Sequence, residues 1–389
     1  MEWKFKRFSE VLRLTQQQIA GADDIRFREP IYTFHDAWTS WLAGEKFPIA
    51  FFGDSTFDGS NTSDWTRNTL GADNLSPNAF SAVLERLLRQ ASNHSELRVY
   101  NAGFSGQTAN WATGVLEQEF GESSAYSDVR LIGIGFGIND RLGFPNENAY
   151  RLSFKTSIKS IIEWCYAKSI QPFLLTTQAT VEPGVITQYA GTYPMRTSEH
   201  ISVANEVKRE LAAEYGLALI DLNRFTELLL LYSSIPARTL ISDRLHFGDI
   251  GHRAEAQFLF AKLCPRTIFA DGYTKVDYSS QHVFDCVPED WLTMPEAPTD
   301  AFKVFVDYEK ADREDKPLLS AWVFVCSKKK LTLKAYRSGC PHTYVRMNGE
   351  RKPLTGAETV LGELDIGLYR LDVYSGETDR ADFKGFLLE

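Results

Sequence analysis

The 389-residue sequence has no CxxC pair, no basic stripe and no run approaching about 18 consecutive apolar residues, and each lack removes a class of function. Five cysteines (Cys165, Cys264, Cys286, Cys326 and Cys340) form an odd set, most of them inside apolar runs, the pattern of buried free thiols in a reducing compartment. The longest basic run is "KKK" at 328–330 and the formal net charge is −9, so no nucleic-acid partner is expected, because polyanion binders present a basic surface. No membrane span is expected, and "MEWKFKRFSEVLRLTQQQIAGADD" at the start lacks the uninterrupted apolar stretch of a secretion signal. A cytoplasmic location follows as the expectation. The three Asn-x-Ser/Thr sequons, at Asn61, Asn74 and Asn93, are then read as chance.

What is present is the composition of an ordinary globular chain, with 43% hydrophobic and 24% charged residues, long enough for two domains. From about 47 to 264 short apolar runs alternate with helical stripes, the form of a βαβ array around a parallel sheet. The strand candidates are "FPIAFF" (47–52), "LRVYN" (97–101), "VRLIGIGF" (129–136), "PFLLTT" (172–177) and "LALIDL" (217–222). Between them lie stripes through Phe80, Val83, Leu84, Leu87 and Leu88, through Phe154, Ile158, Ile161, Ile162 and Cys165, and through Ile201, Ala204, Val207 and Leu211. A last helix is expected from near Asp249 to just before Pro265, where proline's missing N–H and its clash with the preceding turn end it.

After Pro265 the pattern changes to short alternating strands: "AFKVFVDY" (301–308), "SAWVFVC" (320–326), "LTLKAYR" (331–337), "TYVRM" (343–347), "GLYRLDVYS" (367–375) and "FKGFLL" (383–388). They predict an antiparallel, sandwich-like all-β domain at 301–389, reached through a connecting segment at 266–300 that includes "TMPEAPTD" (293–300). The catalytic domain is placed at 46–265. Residues 1–45 form an extension with one amphipathic helix candidate through Phe8, Val11, Leu12 and Ile19.

Four blocks fall at four predicted strand ends, where parallel sheets present ligands. Alone, "GDS" at 53–55 reads as a turn, since glycine, aspartate and serine are favoured wherever a strand ends. A serine hydroxyl acts as a nucleophile only with a base to take its proton and a third group to orient that base. "DRLHFGDIGH" (243–252) supplies both in Asp243 and His246, whose spacing lets the carboxylate hold Nδ1–H and leaves Nε2 for Ser55. Asp249 and His252 repeat the spacing. Asp249 stands where a helix N-cap is expected, however, and His252 would lie in the first turn, so that pair is assigned a structural role. An oxyanion needs donors. "NAGFSGQT" (101–108) offers the backbone of Gly106, and "GIND" (137–140) offers the side-chain amide of Asn139.

The ordered set "GDS", "NAGFSG", "GIND", "DRLH" resembles the SGNH hydrolases, the GDSL-type esterase family, over roughly residues 46–264. The resemblance implies a three-layer α/β/α sandwich of flavodoxin-like kind with a parallel five-stranded sheet. It implies Ser55 as nucleophile and, through its N–H, first oxyanion donor, with Gly106 second and Asn139 third. His246 becomes the base and Asp243 its orienter. Many members have proline after the histidine, where this chain has Phe247, which puts the local loop shape in question.

Competing templates fit less well. Ser105 in "GFSG" is followed by Gln107, so the G-x-S-x-G elbow is missing, and "GIGFG" (133–137) lacks the dinucleotide spacing. A two-metal phosphoesterase could use Asp54, Asn139, His246 and His252, but the chain lacks a D-x-H near its first strand and a G-N-H-D/E block. No metal or cofactor is therefore expected. The expected activity is hydrolysis of short acyl esters, O-acetyl groups on a carbohydrate. The polar loop Thr56–Asn78 after the nucleophile carries few aromatics and no apolar lid, and "GDST" rather than "GDSL" resembles family members acting on acetylated polysaccharides. Asp54, Trp65, Tyr189 and Tyr193 are the candidate substrate contacts. A general lipase or lysophospholipase is the alternative enzyme, and a glycan-binding or assembly protein with an inactive scaffold the alternative outside catalysis. The C-terminal domain is expected to bind glycan or to form a homo-oligomer surface.

Overall fold

The computed structural model describes residues 28–73, 76–181, 185–186, 190–264, 267–270, 275–277, 319–327, 330–337, 343–375 and 383–388. The helix candidate through Phe8, the strand candidate 301–308 and the segment 293–300 lie outside these residues.

The α/β part runs α1 (Phe34–Leu42), β1 (Ile49–Gly53), α2 (Ser55–Asp58), α3 (Phe80–Ser92), β2 (Val99–Gly103), α4 (Ala109–Ala112), α5 (Leu116–Phe120), β3 (Leu131–Ile134), α6 (Glu147–Ala167) and β4 (Gln171–Leu175). A small ribbon of β5 (Val185–Ile186) and β6 (Met195–Arg196) follows, then α7 (Thr197–Tyr215), β7 (Leu219–Ile220), α8 (Leu222–Tyr232), α9 (Ala237–Leu240) and α10 (Asp249–Leu263). The five sequence-predicted strands form one parallel sheet in the order β2-β1-β3-β4-β7. Phe51 and Phe52 show why the first strand reads as continuous apolar sequence. Neighbouring residues of a strand point to opposite faces, and both faces of a parallel sheet are covered. Phe51 packs edge-on against Phe57, Phe80 and Phe173 in one core; Phe52 packs against Phe104, Phe120 and Phe136 in the other. The first core is roofed by α1, α3, α8 and α10 and the second by α4, α6 and α7, which makes three layers.

The β-rich part contains β8 (Thr267–Ala270), β9 (Lys275–Asp277), β10 (Leu319–Val325), β11 (Leu331–Arg337), β12 (Thr343–Met347), β13 (Glu350–Pro353), β14 (Glu358–Leu364), β15 (Gly367–Ser375) and β16 (Phe383–Leu388). They form two sheets, β13-β12-β15-β10-β8 and β14-β11-β16-β9. Val323, Val345, Leu371 and Val373 of the first meet Leu331, Leu333, Leu361 and Phe386 of the second in one buried cluster, the core of a sandwich. The stretch read as a connecting segment thus contributes two strands, and β8 pairs parallel to β10. Strand β13 is mostly exposed and β14 mixes exposed, half-buried and buried positions, so neither carries a clean alternation.

The outer face of the first sheet is not free. Phe324 lies against Phe225 of α8 and Phe258 of α10, and Trp322 lies against Phe260. Gln257 accepts a hydrogen bond from the Leu368 N–H at 3.3 Å, and Asp365 accepts one from the Ser234 N–H at 2.8 Å. The two parts therefore share a core, and burial of each such aromatic stabilises their union by about 1.5–3 kcal/mol. Cys165 is a buried free thiol. Among the described residues no helix is long and apolar enough to cross a membrane.

Candidate active site

The chain leaves β1 at Gly53 and enters the one-turn helix α2, with Asp54 as its N-cap accepting from the Thr56 N–H. That tight turn sets Ser55 at the sheet rim. It requires α2 to lie close on the strands, which glycine permits: a Cβ at Gly135 would fall 1.9 Å from the Phe57 ring. Ser55 Oγ is 2.8 Å from His246 Nε2, and His246 Nδ1 is 2.6 Å from Asp243 Oδ2. An ionised Asp243 only accepts, so the proton sits on Nδ1, and Nε2 is the lone pair that faces the serine hydroxyl.

Local hydrogen bonds shape this arm. Asp243 Oδ1 accepts the N–H groups of Leu245 at 2.9 Å and His246 at 2.7 Å, a turn closed by a side chain, and Arg244 takes a left-handed φ of 82° within it. Burial raises the Asp243 pKa, but the His246 and Leu245 hydrogen bonds outweigh it and hold the carboxyl below its ordinary 3.8. Phe247, standing where many family members have proline, is fully buried against Gly251 and anchors the loop to the first core by packing.

Two more segments grip the imidazole arm. Asn61, with a left-handed φ of 79°, donates its Nδ2 to the His246 carbonyl at 3.0 Å and to Ser242 Oγ at 3.1 Å. Gln178, beyond β4, donates to the Leu245 carbonyl at 2.7 Å. Neither residue is a site candidate by sequence, since each acts through a partner more than sixty positions away; asparagine's tolerance of left-handed turns was the one local signal at Asn61.

The donor blocks are stitched to each other. Gly106 sits exposed with φ 81°, a conformation that selects glycine, in a turn closed by the Gln107 N–H on the Phe104 carbonyl. Asn139 donates one amide hydrogen to the Gln107 carbonyl at 3.0 Å, which ties the third block to the second. Ser105 donates to Asp58 and shares a 2.6 Å hydrogen bond with Ser60, and its carbonyl accepts from Arg67 at 3.2 Å. Ser105 is thus a prop of the Gly106 turn, in keeping with its missing elbow motif.

The candidate substrate contacts divide. Asp54 is fully buried, with its carboxylate given to Thr56 and the Ile138 N–H at 3.3 Å, so it is a structural cap out of reach of substrate. Trp65 is exposed on the loop after Ser55. Tyr193 packs 4.8 Å from the His200 ring on the second core, which accounts for it as a pin of its own loop. Tyr189 lies outside the described residues.

The rival pair separates in space. Asp249 is the first residue of α10, after Gly248 as N-cap, and its carboxylate receives the Ser63 N–H at 2.7 Å and Oγ–H at 2.6 Å. His252 is buried under Phe80, whose N–H it accepts at Nδ1. A cavity of about 370 Å³ lies between α7 and α8, lined by Thr180, Ile201, Asn223 and Leu230, with none of Ser55, Gly106, Asn139, Asp243 or His246 in its wall. Among the described residues no group of three or more His, Cys, Asp or Glu could hold a metal ion.

The family model described as GDSL-like Lipase/Acylhydrolase matches residues 51–254, just over half of the 389 residues and the span holding all four blocks. No curated protein matches the sequence. Among solved structures, the lipase/acylhydrolase from Enterococcus faecalis is 19% identical, with 56% of this chain and 95% of that chain covered and a TM-score of 0.40. A two-domain esterase active on acetylated mannans is 15% identical, with 93% and 96% covered and a TM-score of 0.43. Axe2, an acetylxylan esterase from Geobacillus stearothermophilus, is 20% identical, with 56% and 94% covered and a TM-score of 0.40. The chain belongs to the GDSL-like lipase/acylhydrolase family.

Proposed function

We propose that the protein is a serine-dependent carboxylic ester hydrolase that removes short acyl groups, O-acetyl groups of a carbohydrate, through an acyl-enzyme on Ser55. The observation that carries this reading is the unbroken chain from Ser55 Oγ through the His246 ring to Asp243, at 2.8 and 2.6 Å. Ser55 Oγ attacks the acyl carbonyl while His246 Nε2 takes its proton, and Asp243 stabilises the imidazolium. The carbonyl oxygen gains its charge among the Ser55 N–H, the Gly106 N–H and the amide hydrogen of Asn139 that is not given to Gln107. The tetrahedral species collapses, the alcohol leaves with the proton from His246, and water repeats the sequence to release the acid.

The rim supports a polar substrate. The loop from 56 to 78 presents Asn61, Ser63, Asp64 and Arg67 to solvent, and Trp65 is its one exposed large hydrophobic side chain among the described residues. A lipase would need a contiguous apolar surface to hold its acyl chain. Acyl-chain preference tests this directly. Release of acid from acetylated glycans and from p-nitrophenyl esters of increasing length should show kcat/KM highest for acetyl and about tenfold or more lower at octanoyl. Fastest cleavage of long chains would assign the lipase reading instead.

A further inference from the structure

Lys208 is fully buried on α7, with Asn205 three residues earlier on the same face. Its Nζ donates to Thr177 Oγ1 at 3.0 Å and lies 3.5 Å from the place a Cβ on Gly137 would occupy, directly against the "GIND" segment. Asn205 fixes the same threonine by exchanging two hydrogen bonds with its backbone, at 2.7 and 3.3 Å. The acidic groups that attract the ammonium are Asp54 and Asp140, the residue before Ser55 and the residue after Asn139.

Asp54 holds an amide of another block, and Asp140 holds one just past another block. Asp54, in the first block, accepts from the Ile138 N–H in the third at 3.3 Å. Asp140, in the third, accepts from the Ala109 N–H at 2.8 Å, three residues beyond Gly106 in the second. Both carboxylates are buried, and burial raises both their pKa values, that of Asp140 to about 7, while it lowers that of Lys208 to about 7. Two buried carboxylates in one cluster are stable as charged acceptors only where a cation offsets them. A protonated carboxyl is the weaker acceptor for a backbone N–H, so losing the cation loosens both links at once.

We propose that Lys208 is a positioning residue for the oxyanion hole: its buried ammonium keeps Asp54 and Asp140 as acceptors and thereby locks the Ser55, Gly106 and Asn139 blocks in one arrangement. It touches no substrate. The inference rests on the esterase reading for its kinetic consequence and on the hydrogen-bond network alone for its structural one. A displacement of about 1 Å at a donor costs on the order of 10²-fold in rate, whereas ground-state binding, which depends on the rim loop, is untouched.

The test is Lys208→Met, assayed for acetyl-ester turnover and for hydrogen exchange at the Ile138 and Ala109 amides. The expected result is a kcat about 10–100-fold lower with KM within about twofold, together with exchange at those two amides about tenfold faster or more. Adding Asp140→Asn supplies an amide oxygen that accepts from the Ala109 N–H without a cation beside it and should return part of the lost kcat. Thr177→Val keeps shape and removes the acceptor of Nζ, so it gives the same pattern at smaller size and decides the matter if Lys208→Met fails to fold. Wild-type kcat and unchanged exchange in a folded variant would overturn the inference. A wild-type protein that hydrolyses no ester would overturn the esterase reading, and the exchange experiment would still decide the role of Lys208.

Discussion

Within ten residues the chain writes Asp-x-x-His twice, and the two copies have opposite fates. At 243–246 the backbone turns through a left-handed Arg244, the carboxylate closes on the two following N–H groups and on Nδ1, and Nε2 reaches Ser55. At 249–252 the chain is already helical, the carboxylate goes out to Ser63, and the ring goes in under Phe80. The first imidazole keeps 19% of its side-chain surface and the second none, which leaves only the first open to a reacting group. Spacing lets a carboxylate and an imidazole meet; whether they do is set by the backbone between them and by what else competes for the carboxylate.

The two histidines should differ most in activity. His246→Ala should lower kcat by about 10⁴-fold or more at unchanged stability, because the base is lost and no neighbour replaces it. His252→Ala should leave kcat per folded molecule within about threefold. It should instead lower the unfolding free energy by about 2–4 kcal/mol, through the emptied space against Phe80 and the orphaned Phe80 N–H, read as a shifted urea midpoint. Equal kinetic losses in the two variants would erase the distinction.

A smaller effect separates the pairs by pH. Burial lowers the His252 pKa from 6.5 to about 3 and holds that of its fully buried neighbour Glu255 well above 4.5. Below pH 6.5 the unfolded chain protonates His252 while the folded one does so only near 3, so His252 contributes stability above 6.5 that is lost as pH falls through that window. Glu255 acts in the opposite sense: above pH 4.5 the unfolded chain ionises it and the folded chain does not, so its contribution is lost as pH rises. The two slopes are opposite in sign, each up to about 1.4 kcal/mol per pH unit, and Glu255→Gln removes only that of Glu255. Urea midpoints of wild type and Glu255→Gln should therefore diverge as pH rises above 4.5, with the variant gaining. A constant difference would contradict the buried, neutral state assigned to this pair.

Three of the blocks follow β1, β2 and β3 and the fourth, expected at a strand end, follows α9 instead; all were legible because each packs its signal into a short run of consecutive residues. The five parallel strands were legible because burial on both faces leaves them apolar throughout, as in "FPIAFF". What escaped acts over distance. Asn61 reaches His246 across 185 positions, and nothing at either end names the other. Lys208 left a faint trace, a lysine four residues after Ala204 on the buried side of a stripe where a charged group has to be compensated. Asp54 misled in the other direction, since adjacency to the nucleophile looks the same in sequence whether the carboxylate faces substrate or caps a helix.

We propose Ser55 as the activated hydroxyl of the site. A serine-directed organophosphonate, followed by peptide mass mapping, tests it without choosing a substrate. One adduct per chain on Ser55 is predicted, abolished in His246→Ala and retained in His252→Ala. An adduct on Ser105, or a folded protein that takes no adduct, would contradict that role for Ser55.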